Sequence, residues 1–129
     1  MKPHHRLCAS LILAVTALAG CSSVPYDSTG ETVAVFQFGE FKMLLNTTAP
    51  KVAKAAQLAM QQLDVYQTSS TVTRFDARLT ARARNDQRIN VIIQEVNSAQ
   101  TLVRIRWGEG GDLNASRRLF DAMEANVGK

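Results

Sequence analysis

Residues 77–107 alternate between apolar and polar side chains in three successive segments, and this alternation constrains the fold more than any other feature. The segments and the polar loops between them are 77–84, Asn85-Asp86-Gln87, 88–96, Asn97-Ser98-Ala99 and 100–107. A period of two residues places successive side chains on opposite faces of a strand, and loops of this length join antiparallel neighbours. The sequence therefore predicts a three-stranded antiparallel meander with one apolar face.

The hydrophobic pattern also predicts how these strands pair. Three-residue loops bring the apolar side chains together in three rows, which are Leu79, Ile93 and Val103; Ala81, Val91 and Ile105; and Ala83, Ile89 and Trp107. A two-residue first loop would instead set the arginines of one strand beside the isoleucines of the next. We therefore expect the register that three-residue loops impose.

Two earlier stretches have the composition of strands. Residues 33–45 alternate on either side of Gly39-Glu40, where a two-residue turn predicts a hairpin with three apolar pairs on one face: Phe38 with Phe41, Phe36 with Met43, and Ala34 with Leu45. A single strand bent at a glycine bulge is the alternative. Residues 65–74 are rich in threonine and serine, which favours an exposed or edge strand.

Two segments have the apolar spacing of amphipathic helices. The first is capped by Thr47 or Thr48 and has Pro50 in its first turn, and the second is capped by Asp112 or Asn114. The two apolar stripes are Val52, Ala56, Ala59 and Leu63; and Leu113, Ser116, Phe120, Met123 and Val127. Together with the strands, these helices predict an α+β fold. We expect a two-layer sandwich in which two helices cover one face of an antiparallel sheet of four to five strands.

One face of the predicted meander collects six arginines, which are Arg78, Arg82, Arg84, Arg88, Arg104 and Arg106. In the expected register Arg82, Asn90 and Arg106 form one row, with the outer two about 10 Å apart. Guanidinium groups bind phosphates and carboxylates in a bidentate manner. The sequence therefore predicts anion binding by Arg78, Arg82, Arg104 and Arg106. A charged, solvated face without a ligand is the alternative.

The N-terminus has the parts of a secretory signal peptide. Lys2 and Arg6 precede an apolar stretch over 7–19 that is too short to span a bilayer. Leu18-Ala19-Gly20-Cys21 then resembles a lipobox, the site at which bacterial lipoproteins are cleaved before a cysteine that becomes acylated. An ordinary signal peptide cleaved after Ala17-Leu18-Ala19 is the alternative.

The lipobox implies cleavage after Gly20 and several acyl chains, such as palmitate, on Cys21, which suffice for stable membrane anchoring. Ser22 after the cysteine indicates the outer membrane of a Gram-negative envelope, on its periplasmic face. The predicted organisation is a signal peptide over 1–20, an acylated cysteine and tether over 21–31, and a single domain over 32–129.

The composition of the predicted mature chain argues against an enzyme. Cleavage removes both histidines and Cys8, and acylation uses Cys21, so that no histidine and no free cysteine remain. The usual transition-metal ligands and the Ser-His-Asp and Cys-His arrangements are thereby excluded. A hydrolase built from carboxylates such as Asp76, Asp86 or Asp112 is the remaining catalytic alternative, and no cofactor is expected.

The formal net charge of +4 falls to +2 in the mature chain, because loss of Lys2 and Arg6 leaves 13 basic residues against 11 acidic ones. This small excess, and the lack of aromatic side chains among the arginines, argue against nucleic acid as a partner. The expected partners are a membrane, through the lipid anchor, and an anionic envelope ligand or envelope protein. Suitable ligand groups are lipopolysaccharide phosphates, lipid headgroups and peptidoglycan carboxylates.

The lipobox, several strand segments and one helix residue together carry a family resemblance. The segments are Leu79-Thr80-Ala81-Arg82-Ala83, Ile89-Asn90-Val91, Thr101-Leu102-Val103-Arg104-Ile105-Arg106 and Ser116. They resemble a domain-of-unknown-function family of small Gram-negative lipoproteins, over most of residues 32–127. The resemblance implies the fold and the lipid-anchored location, and it implies no activity. We expect a non-catalytic binding or structural module; an adaptor that pairs its edge strand with an outer-membrane machine is the alternative.

Overall fold

A computed structural model of the protein describes residues 22–25 and 33–129. In chain order its elements are β1 (Ser22–Pro25), β2 (Val33–Gln37), β3 (Glu40–Leu45), α1 (Ala49–Gln62), β4 (Tyr66–Val72), β5 (Asp76–Arg82), β6 (Arg88–Asn97), β7 (Gln100–Trp107) and α2 (Leu113–Asn126). The strands form one antiparallel sheet in the order β1-β2-β3-β7-β6-β5-β4. The predicted cleavage and acylation sites, Gly20 and Cys21, lie outside the described residues.

The sheet is larger than expected. The predicted α+β class, with two helices and an antiparallel sheet, is confirmed, but the prediction of four to five strands is wrong. Strands β2 to β7 make six, and β1 pairs with β2 at the edge. Residues 33–45 form a hairpin of two strands instead of one bent strand, and the threonine- and serine-rich segment provides the edge strand β4. The backbone of Ser22–Pro25, within the predicted tether, forms the short β1.

The apolar core lies between the two helices and one face of the sheet. Helix α1 contacts β4, β5 and β6, helix α2 contacts β3 and β7, and the helices pack on each other. The ring centroids of Phe41 in β3 and Phe120 in α2 are 5.5 Å apart, and both side chains are completely buried. Small side chains allow α1 to lie close to β5, where Ala56, Ala59 and Ala81 are also completely buried.

The β2–β3 hairpin turns one residue earlier than predicted. Its two central residues are Phe38 and Gly39, with φ angles of 52° and 76°, as a type I′ turn requires. Phe36 therefore pairs with Phe41, and Phe38 leaves the apolar face and is 81% exposed. The glycine fits the second central position of this turn, and Glu40 becomes the first residue of β3.

The β5–β6 hairpin has a three-residue loop, as predicted, but at a different position. The loop residues are 84–86, closed by a hydrogen bond that the Ala83 N–H donates to the Gln87 carbonyl oxygen at 3.0 Å. The third position of such a loop needs a left-handed backbone. Asp86 adopts it with a φ of 65°, which aspartate tolerates well.

The register of the meander is predicted correctly for one hairpin and wrongly for the other. Ala81 pairs with Ile89, so its predicted pairing with Val91 is wrong by two residues. In the β6–β7 hairpin Val91 pairs with Ile105, and this prediction is confirmed. That register holds until an irregularity between Glu95 and Asn97. Beyond it Asn97 pairs with Gln100, so this loop has two residues and the prediction of three is wrong.

A side chain from the sheet caps the first helix. Thr48 occupies the N-cap position of α1, but its side chain makes no capping hydrogen bond. The Ala49 N–H instead donates to Glu95 Oε1 of β6 at 3.0 Å, where a carboxylate also interacts favourably with the helix dipole. Helix α2 is capped by Asp112, which accepts a hydrogen bond from the Ala115 N–H at 2.9 Å.

Candidate functional site

Five arginines lie on the face of the sheet that neither helix covers. Alternate residues of β5, β6 and β7 are buried against the helices, so the residues between them point to the opposite side. This surface, which we call the arginine face, carries Arg78, Arg82, Arg88, Arg104 and Arg106. Within residues 33–129 both helices pack on the other face of the sheet.

Arg84 does not belong to the arginine face, although the sequence predicts it there. It is the first residue of the β5–β6 loop, and its guanidinium forms an ion pair with Asp64, which follows α1. The loop position therefore turns Arg84 toward the helix side of the sheet.

Arg82 and Arg88 are direct cross-strand neighbours, so the predicted alignment of Arg82 with Asn90 is wrong. The other half of the predicted row is confirmed, because Asn90 pairs with Arg106. The like charges of Arg82 and Arg88 repel each other. The Nη1 atom of Arg82 is 3.0 Å from Asp86 Oδ1, in a pair exposed enough for solvent to weaken the attraction. Arg88 forms no ion pair with any residue in the described part of the chain. This corner of the arginine face therefore has an excess of positive charge.

Arg104 is held by a carboxylate of the neighbouring strand. Its Nε donates to Glu40 Oε1 at 2.9 Å, and the same oxygen lies 3.6 Å from Lys42 Nζ. Glu40 belongs to β3, which the sequence analysis did not pair with the meander. Because Glu40 is shared between two cations, this cluster of three side chains stabilises the β3–β7 pairing and leaves Arg104 less available to a ligand.

Arg106 joins two turns. Its guanidinium donates to the Phe38 carbonyl oxygen at 2.6 Å and to the Glu109 carbonyl oxygen at 3.1 Å. The backbones of the same two turns touch, since a Cβ atom on Gly111 would lie 2.1 Å from the Gly39 carbonyl oxygen. Arg106 is therefore a structural residue at this junction, and a ligand would compete with its two hydrogen bonds.

Arg78 is a second arginine without a neutralising partner. It faces Ile92 of β6 on one side and Thr71 of β4 on the other. Its side chain is exposed, and no ion pair of Arg78 occurs between residues 33 and 129. Of the four predicted binding residues, Arg78 alone has no ion pair or side-chain hydrogen bond in the described residues. The other three bond to protein groups, although the Arg82–Asp86 pair is exposed.

An open groove of about 980 Å³ lies at one end of the arginine face. Its walls are the β5–β6 loop and the loop over 108–110, and it is also lined by Arg82, Arg88, Asn90 and Arg106. The sequence predicts Arg88 on this face, but Arg88 is not among the four predicted binding residues. Its lack of a partner becomes visible only when the positions of the acidic side chains are known.

The described residues, 22–25 and 33–129, contain neither a metal-binding cluster nor a helix that could span a membrane. No group of three or more histidine, cysteine, aspartate or glutamate side chains in this part of the chain is arranged to hold a metal ion. Neither α1 nor α2 is long and apolar enough to cross a bilayer.

Comparison with known proteins identifies a family. The model of a family described as protein of unknown function (DUF3568) matches residues 5–126. Because this match covers most of the chain, the protein belongs to that family. No curated protein matches the chain.

Proposed function

We propose that this member of the DUF3568 family is a non-catalytic lipoprotein of a Gram-negative cell envelope that binds an anionic envelope component through its arginine face. Cleavage after Gly20 and acylation of Cys21 would anchor it in the outer membrane, on the periplasmic side. The positions of the helices support this proposal, because in the described residues both helices pack behind the sheet and neither covers the arginine face.

One observation carries this proposal: Arg78 and Arg88 project from the uncovered face without an ion-pair partner in the described residues. A charged face that is only solvated gains solubility from mixed charges. Next to Arg88 the positive charge is increased by Arg82, which lies directly opposite it and whose ion pair with Asp86 is exposed to solvent. The guanidinium groups of two directly paired residues, such as Arg82 and Arg88, suit the oxygens of phosphate and carboxylate groups.

Reversing the charge of both unpaired arginines should abolish most of the binding. We expect the Arg78→Glu/Arg88→Glu variant of the acylated protein to bind its anion more weakly by about tenfold or more, since each basic side chain near an anionic surface contributes about 1 kcal/mol. Binding is measured in zwitterionic detergent at several salt concentrations. The probes are lipopolysaccharide, nanodiscs containing phosphatidylglycerol, and soluble peptidoglycan fragments.

The matched control is Lys51→Glu/Lys54→Glu, which changes the net charge by the same amount on the exposed side of α1. We expect this control to keep nearly all of the binding, and the affinity of the unaltered protein to fall as salt rises. An equal loss in both variants, or no binding to any of the three probes, would contradict the proposal.

A second candidate function is that of an adaptor, because β4 is an edge strand with no further strand beside it in the described residues. It is the last strand of the sheet, and every residue from Thr68 to Val72 is exposed. An edge strand of this kind can pair with an extended segment of another protein. The Thr73 N–H donates to the Asp76 carbonyl oxygen at 2.8 Å, toward β5, so the preceding N–H, that of Val72, points to the open edge.

A proline at position 72 therefore tests the adaptor. We expect Val72→Pro to leave the thermal unfolding temperature nearly unchanged, because it removes an N–H that β5 does not use. If β4 binds a partner protein, a crosslinked species recovered from the native envelope should disappear in Val72→Pro and persist in Val72→Ala, which retains the N–H. Loss of the same species in Arg78→Glu/Arg88→Glu alone would assign it to the arginine face instead.

A further inference from the structure

Phe38 contributes little to the stability of the fold. It has a φ of 52°, in the first central position of a type I′ turn, where asparagine, aspartate or glycine is favoured. For a bulky side chain this backbone conformation is strained. The side chain is also 81% exposed, so that packing against the core does not offset the strain. Backbone strain that packing does not offset is found mainly at functional sites, which makes Phe38 a candidate for a contact outside the molecule.

Three of the five arginines of the arginine face lie at the same end of the sheet as Phe38: Arg82, Arg88 and Arg106. We call this end the turn end; it carries the β2–β3 turn, the β5–β6 loop and the loop after β7. Arg82 ends β5 and Arg88 begins β6 there, as direct neighbours. Arg106 donates a hydrogen bond to the Phe38 carbonyl oxygen at 2.6 Å, which ties the aromatic turn to the arginine-lined groove.

The chain also enters the domain at the turn end. In the antiparallel β1–β2 pair Ser22 lies opposite Phe36, two residues before Phe38. The proposed acylation site, Cys21, directly precedes Ser22 in the sequence. The first residue of the described β1, which follows the proposed lipid anchor in the chain, therefore lies at the turn end.

From these three observations we propose that the turn end is a membrane-contacting surface. Phe38 inserts into the interfacial layer of the bilayer, where aromatic side chains are favoured, and Arg82 and Arg88 bind the phosphate groups of anionic phospholipids. The acyl chains and the arginine-rich corner thus act together as a two-part anchor that fixes the orientation of the domain. The inference rests on the proposed acylation of Cys21 and names the anion of the proposed function.

Fluorescent labels at opposite ends of the domain test this orientation. Phe38→Cys and the control Phe75→Cys each introduce the only free thiol of the acylated chain, and Phe75 is also exposed but lies in the β4–β5 connection, at the other end of the sheet. Each labelled protein is reconstituted into phosphatidylethanolamine vesicles containing phosphatidylglycerol and brominated acyl chains. We expect the label at position 38 to be quenched several-fold more than the label at position 75.

The lipid headgroup requirement is tested in the same way. In vesicles of phosphatidylcholine alone, and in an Arg82→Glu/Arg88→Glu background, quenching at position 38 should fall several-fold. Equal quenching at both positions would overturn the inference. Quenching at position 38 that stays the same in phosphatidylcholine vesicles and in the Arg82→Glu/Arg88→Glu background would overturn it as well. Mass spectrometry of Cys21 separates the two proposals: an unmodified Cys21 refutes the lipoprotein itself, whereas an acylated, anion-binding protein with equal quenching refutes only the membrane-contacting surface.

Phe38→Asn provides a measurement that does not depend on vesicles. Asparagine followed by glycine is the preferred pair for a type I′ turn, so the substitution should raise the thermal unfolding temperature by a few degrees. It should also weaken the association of the turn end with anionic vesicles. A lower unfolding temperature would show that Phe38 serves the fold and would overturn its role as a membrane contact.

Discussion

Gly111→Ala should destabilise the protein by about 4 kcal/mol or more, which is a large part of the total stability of a domain this small. Gly111 has a φ of +78°, and a Cβ atom there would lie 2.1 Å from the Gly39 carbonyl oxygen. This neighbour is backbone, in a turn that Arg106 also holds through the Phe38 carbonyl oxygen. The β2–β3 turn cannot move away from the added Cβ atom without breaking that hydrogen bond. Urea unfolding followed by circular dichroism measures the effect.

Two other glycines serve as controls for Gly111→Ala. Gly128 has a φ of +90°, but a Cβ atom there would meet nothing within 4 Å, so Gly128→Ala should show the backbone strain alone, about 1–2 kcal/mol. Gly110 has neither a positive φ nor a neighbour within 4 Å, and its replacement by alanine should have little effect. If Gly111→Ala were no more destabilising than Gly128→Ala, the contact between the two turns would not be tight.

Phe120→Ala should cost about 3–5 kcal/mol, the usual range for an aromatic side chain removed from a core. Phe120 is completely buried and packs on Phe41 with 5.5 Å between ring centroids. It therefore links α2 to β3 across the interior. The truncation would leave a cavity that the surrounding strands cannot fill, and the unfolding midpoint in urea should fall accordingly.

The matched control is Phe75→Ala, which removes the same side chain from a position that is 59% exposed. Its free energy of unfolding should change by about 0.5 kcal/mol or less. Similar losses in the two variants would mean that Phe120 contributes no more to the core than a surface residue.

The sequence predicts which face each strand buries more reliably than which residues pair. A shift of one residue would turn a strand over and expose its apolar side chains, so the pattern excludes it. A shift of two residues keeps every side chain on its face. That is why Ala81 is on the correct face but pairs with Ile89 instead of Val91, and why Phe36 pairs with Phe41 instead of Met43.

Two registers that differ by two residues bury the same side chains, so the conformation of the loop decides which of them forms. In the β5–β6 loop the left-handed position falls on Asp86, and in the β2–β3 turn left-handed angles fall on Phe38 and Gly39. The aspartate and the glycine suit this conformation, and the phenylalanine does not. No sequence rule based on turn preferences would therefore place Phe38 in the turn.

The arginine face is predictable only in part, because the hydrophobic pattern predicts the face on which a side chain lies but not the residue that it contacts. Alternation along β5 to β7 places arginines opposite the core, and this follows from the sequence. Which arginines are neutralised does not, because the partners come from distant segments: Glu40 reaches Arg104, and the Phe38 carbonyl oxygen accepts from Arg106. Arg88 is not predicted as a binding residue because the residue opposite it depends on a register that the hydrophobic pattern does not determine.

The two edges of the sheet differ in a way that limits self-assembly. One edge is β4, seven residues long and almost wholly exposed, and the other is β1, four residues long and ending at Pro25. A short edge strand with a proline is a poor template for pairing. As far as the described strands are concerned, two copies paired through β4 would present only their β1 edges. Edge-to-edge association would then close as a two-fold dimer and would not extend into a fibre.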